Sequence, residues 1–162
     1  MTRILIRCDA SLSIGSGHVM RCRNLARMLK QRGAEVSFIC RKQPGDLIHL
    51  LENEVSVLKL PEQSLLDCKG LQERQLYAAW LGCSQEQDAV DCLNALTQAN
   101  ISTASWLVVD HYGLDAQWEV QLQRTAYLQE SCTQANRDTL GQLVELSAHL
   151  VVREVARLST NT

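Results

Sequence analysis

The 162-residue sequence predicts an α/β fold, a Rossmann-like parallel sheet with flanking helices and a helical C-terminal tail. Short apolar runs rich in β-forming residues alternate with segments of helical spacing. The connections between successive runs are long enough for right-handed crossovers, and the runs suit strands buried on both faces.

Each element has its own signal. Residues 3–8 (RILIRC) read as a first strand that enters a loop of small polar residues and glycines. From His18 to Gln31, Met20, Cys22, Leu25, Ala26, Met28 and Leu29 recur near helical spacing while arginines fill the other positions, and Gly33 supplies a stop. Residues 35–41 (EVSFICR) form a second strand, and Pro44-Gly45-Asp46 opens a helix to about Asn53. Residues 55–60 (VSVLKL) make a third strand, ended by Pro61 and followed by a polar connection. Ser84-Gln85-Glu86-Gln87 has the form of a capping box at the head of a helix reaching about Asn100. Residues 105–110 (SWLVVD) are a fourth strand. Beyond Trp118 no further strand is expected; residues 138–158 read as one long helix with a broad apolar face.

Composition narrows the function. Sixteen basic against eighteen acidic residues leave a net charge of −2, so no global electrostatic case exists for nucleic acid or an anionic membrane, and any anion site must be local. Seven cysteines, without a C-x-x-C pair and mostly within apolar segments, read as reduced core residues of a cytoplasmic protein. No apolar run has the length of a membrane span, and no signal peptide is expected. The four histidines form no cluster with metal-ligand spacing, and no cofactor is expected.

The loop after the first strand carries the chemistry. Gly15-Ser16-Gly17-His18 lacks the third glycine of a dinucleotide fingerprint, whose place Met20 takes, and the second strand ends in Arg41-Lys42 where a ribose-binding acid would stand. A P-loop is excluded because no G-K-[ST] follows. Two readings remain. Either the glycines shape a turn and His18 faces solvent, or the glycines admit a ligand to the exposed amides of a helix start while His18 serves as a base, with Asp9 as a facing carboxylate. His111 and Tyr112, after the fourth strand, fall on the same rim. Arg21, Arg23, Arg27, Lys30 and Arg32 read as a solvated helix face, Cys22 as core, and Trp80, Trp106 and Trp118 as packing anchors.

Four blocks, RCDASLSIGSGHVMRCRNLARMLKQRGAEVSFICR, PGDLI, WLGCSQEQDA and LVVDHYGLDAQWE, occur in an order that resembles the amino-terminal half of the PseG family. These are UDP-sugar hydrolases of pseudaminic acid biosynthesis, which act on UDP-2,4-diacetamido-2,4,6-trideoxy-β-L-altropyranose. The resemblance runs from about residue 3 to about residue 119. It implies the N-terminal half of a GT-B-like fold and a metal-independent attack of water on the anomeric carbon, with His18 as catalytic base. It further implies that Asp9 orients His18 or a sugar hydroxyl, that Gly15 and Gly17 make room for the sugar, and that Tyr77 lines the sugar pocket. His111 and Tyr112 are expected to contact the acetamido groups.

The expected organisation is a PseG-like domain at residues 1–119 and an atypical helical tail at 120–162, with the second, UDP-binding domain absent. The resulting expectation is a UDP-sugar hydrolase of doubtful activity alone. The alternative is a non-catalytic interaction module, or a half-enzyme that works with a separately encoded C-terminal domain.

Overall fold

A computed structural model describes residues 1–63 and 73–124. Nine elements follow in chain order: β1 (Arg3–Cys8), α1 (Gly17–Gln31), β2 (Glu35–Arg41), α2 (Ile48–Glu52), β3 (Ser56–Leu60), α3 (Glu73–Trp80), α4 (Gln85–Gln98), β4 (Trp106–Asp110) and α5 (Ala116–Arg124). The four strands make one parallel sheet in the order β3-β2-β1-β4. Ile6 of β1 lies between Phe38 of β2 and Val108 of β4, which sets the register of its centre.

Side chains alternate across each strand, and both faces are covered. Ile4, Ile6 and Cys8 of β1, with Val36, Phe38, Cys40, Trp106 and Val108, pack under Val19, Cys22, Leu25, Ala26 and Leu29 of α1 and Ile48 and Leu51 of α2. Leu5, Ile39, Leu58, Leu60, Leu107 and Val109 turn the other way and meet Ala89, Cys92 and Leu96 of α4 and Trp118 and Leu122 of α5. A Rossmann-like sheet sandwiched between helices is therefore the architecture.

The sequence-derived bounds of β1 and β2 coincide with the structure, and β3 and β4 begin one residue later than expected. Ser84 caps α4 as expected, its hydroxyl accepting from Gln87 N at 3.1 Å, but the Gln87 side chain donates to Asp91 at 2.8 Å and does not close a reciprocal box. Three differences have physical causes. Helix α1 begins at Gly17 and turns Val19 inward, which leaves Met20 partly exposed. Pro44-Gly45-Asp46 forms a turn, with Asp46 N donating to Gln43 O, and α2 is only the five residues that follow Leu47. The polar connection after β3 contains α3, and α5 runs across residue 119, with Leu122 buried beside Trp118. The long helix expected at 138–158 lies outside the described residues. No helix among the described residues is long and apolar enough to cross a membrane.

Strand order reverses direction at β1: its chain leaves towards β2 on one side, and β4 joins on the other. In open parallel sheets the crevice at such a switch point, beyond the carboxyl ends of the strands, is where a ligand finds room. The loops after β1 and β4 both open there.

Candidate active site

Local bonding shapes the loop after β1. Ser11 Oγ accepts from Ser13 N and Ile14 N, and Gly15 N donates to Ser11 O at 2.8 Å, closing a tight turn. Gly15 has φ +79°, a left-handed conformation that favours glycine. Nothing stands within 4 Å of where a Cβ at Gly15 or Gly17 would lie, so both positions border open space. Ser16 precedes α1 without a side-chain capping bond, and no acidic residue sits in the first turn. The leading amides of α1 therefore lack a side-chain cap from Ser16.

His18, in the first turn of α1, points back to the end of β4. Its Nδ1 lies 2.8 Å from Asp110 Oδ1, and the two residues are 8% and 4% exposed. Asp110 also receives Arg21 Nε on Oδ2 at 2.5 Å, Arg21 Nη2 on Oδ1, and the Cys22 thiol at 3.4 Å. Burial opposes the Asp110 charge, but Arg21 and then His18 more than offset that cost and lower its pKa to about 2. An ionised oxygen 2.8 Å from Nδ1 requires a proton between them, so Nδ1 is the donor and, in the neutral ring, Nε2 carries the lone pair. Nε2 has no protein partner among the described residues.

A ring cluster flanks the imidazole. Tyr112 meets His18 edge-on at 4.8 Å and is 54% exposed. Tyr77 lies 5.1 Å from Tyr112 and 4.8 Å from Trp80, and Trp80 stacks on Tyr112 at 6.3 Å. Tyr77 therefore reaches the site from α3 through Tyr112, and Trp80 joins it there. The expectation that Trp80 only anchors packing misses this position. Gly113 is required by close approach, since a Cβ there would stand 2.5 Å from the Tyr77 carbonyl oxygen.

Two expectations about polar residues need correction. Asp9 does not face His18. Its carboxylate is 1% exposed and enclosed by Arg7 at 2.5 and 2.9 Å, by Arg41 N at 2.7 Å and by His111 Nε2 at 3.2 Å. Burial resists its charge, but Arg7 and then His111 hold its pKa well below the usual carboxylate range. His111 likewise turns inward, away from any acetamido group. Gly113 N donates to its Nδ1 at 3.0 Å, which leaves Nε2 as the protonated nitrogen towards Asp9, close but off the line of a good hydrogen bond.

These inward residues belong to a buried ionic layer beneath the site. Arg7 reaches from Asp9 to Asp88 of α4, and Arg41 joins Asp88 at 2.7 Å to Asp91 at 2.8 Å. Trp118 Nε1 donates to Asp88 at 3.0 Å, so this tryptophan packs and hydrogen-bonds at once. The helix-face arginines are also paired: Arg23 and Arg27 converge on the Glu54 carboxylate, and Lys30 donates to the Glu54 carbonyl. They border a separate cleft of about 430 Å³ over Ala26, Phe38, Leu51 and Val55. Cys22 is buried core, as expected, and touches Asp110 as well.

Asp110 and Arg21 are the site residues that sequence reasoning missed. Asp110 ends a strand directly before His111-Tyr112, on the rim where ligands gather, and Arg21 follows His18 by three residues on one helix face. Both signals were present, but pairing β1 with β4 needs the sheet order. Among the described residues no three His, Cys, Asp or Glu side chains gather as a metal-binding group.

No protein-family model matches the chain. No curated protein sequence matches it. Among solved structures it is similar to MurG of Acinetobacter baumannii, with 12% sequence identity and a TM-score of 0.48 over 88% of this chain. The chain spans 39% of the length of that structure.

Proposed function

We propose that this chain is the base-bearing domain of a UDP-sugar hydrolase. The observation that carries the reading is the Asp110–His18 pair at the β1/β4 switch point, with Nε2 free of partners among the described residues and open space over Gly15 and Gly17. A carboxylate on Nδ1 fixes the tautomer in which Nε2 can take a proton, the arrangement a base needs to activate water.

In this reading Nε2 removes a proton from a water molecule as its oxygen bonds to the anomeric carbon. The bond from that carbon to the UDP oxygen breaks on the opposite face, which inverts the centre. UDP is a weakly basic leaving group, so no protein acid is required. The uncapped amides of α1 favour negative charge near the loop. Tyr112, with Tyr77 behind it, offers a ring surface for the sugar. The resemblance of the four sequence blocks to PseG supports the specific substrate, UDP-2,4-diacetamido-2,4,6-trideoxy-β-L-altropyranose. Residues 1–119 would then be the sugar-side domain, supplying the base and the ring surface for the sugar.

The test is UDP release from that UDP-sugar by the purified chain and by His18→Ala, followed chromatographically. Release by the wild type, lowered about 10²–10⁴-fold in the variant, is expected for a lost general base. Equal rates in the two proteins, or none in either, would reject the reading for this chain.

A further inference from the structure

Arg21 grips Asp110 with two nitrogens, Nε on Oδ2 and Nη2 on Oδ1. Such a fork is rigid, because two parallel bonds to a planar carboxylate leave it little rotation. The same Nη2 stands 2.9 Å from His18 Nδ1, and α1 presents both side chains to one carboxylate from positions three residues apart. Because Nδ1 donates to Asp110, Nη2 meets the imidazole as a neighbouring positive charge and not as a hydrogen-bond donor. The fork therefore acts on His18 through its carboxylate, by keeping Oδ1 aimed at Nδ1.

We propose that Arg21 is a positioning residue that works through Asp110, holding its Oδ1 against Nδ1 and so keeping His18 in its Nδ1–H tautomer. This rests on the reading of His18 as a base, but its test does not need turnover. The groups that face His18 are Asp110 from β4, Arg21 from α1 and Tyr112 from the loop after β4. Cys22 stands behind Asp110, and Tyr77 and Trp80 of α3 join through Tyr112. Among the described residues Arg21 is the cation in contact with the ring, so its removal should leave the carboxylate uncompensated.

The experiment is a long-range proton–nitrogen correlation of the His18 ring in the full ¹⁵N-labelled chain. It is recorded near pH 8, above the ordinary histidine range, with circular dichroism to check folding. Wild type, Arg21→Gln and Arg21→Lys are compared. The wild type should show the Nδ1–H pattern. Arg21→Gln should lose it to a mixture with the Nε2–H form, because Oδ1 is no longer held against Nδ1. Arg21→Lys, which retains charge without the fork, should fall between them.

A wild-type Nε2–H pattern, or an unchanged Nδ1–H pattern in Arg21→Gln, would overturn the proposal. If Arg21→Gln does not fold, the wild-type tautomer and Arg21→Lys decide it, and a lysine variant identical to wild type would count against the fork. UDP release separates the two readings. Intact turnover without the spectroscopic difference removes only the role of Arg21, and the difference without turnover removes only the hydrolase.

Discussion

His18 illustrates how little a residue's identity says without its partner. A histidine in the first turn of a helix is compatible with plain solvent exposure, and Asp110 on Nδ1 is what gives the ring a defined donor and acceptor. The glycines two positions apart also separate once their backbones are known. Gly15 sits at φ +79° and Gly17 starts a helix, both beside open space. Gly15→Ala should therefore destabilise the fold by about 1–2 kcal/mol, the cost of a left-handed L-residue. Gly17→Ala should leave stability within about 0.5 kcal/mol or raise it slightly, because alanine suits a helix better than glycine. Urea unfolding of both variants checks this contrast, and equal losses would contradict the backbone argument.

At the scale of elements, α4 links local sequence to the site's foundation. Its Ser84 cap starts the helix at Gln85, and the first turn delivers Asp88 to Arg7, Arg41 and Trp118. Ser84→Ala removes the hydroxyl that Gln87 N uses and should cost about 1 kcal/mol in urea unfolding, the usual value of a lost N-cap. A loss near zero would mean that the buried ions alone hold this helix start. The cap was legible in four residues. That α4 would bury a carboxylate was not, since an Asp in the first turn ordinarily satisfies the helix dipole at the surface.

For the whole molecule, the carboxylates of the sheet's carboxyl rim set the response to acid. Asp110 falls to about 2, and Asp9 and Asp88 also lie below their ordinary value, each despite burial and because of arginine partners. A folded-state pKa below the unfolded value of about 3.9 stabilises the protein fully above the unfolded pKa and loses that contribution as pH falls through the folded one. Stability should therefore hold above about pH 5 and decline steeply between about pH 4 and 2. Denaturation midpoints measured across that range check the sign, and a flat profile would show that the buried pairs do not titrate with folding.

Strands β1 and β2 are legible in the sequence to the residue, because a doubly buried strand must be an apolar run bounded by polar turns. Helix α3 was not, since ERQLYAAW mixes polar and apolar residues and follows a long polar stretch. The glycine loop and His18 were also legible, from their place between a strand and a helix. Asp9 was assigned to the wrong side because Arg7, near the end of β1 and two residues earlier, turns with it towards α4. By itself, then, the sequence determined the alternation of strands and helices and the loop at which chemistry could occur, since periodicity and turn residues are local properties. Only the tertiary structure decided which carboxylate serves His18. That choice depends on β4 lying beside β1, a pairing of residues 102 apart that no local pattern encodes.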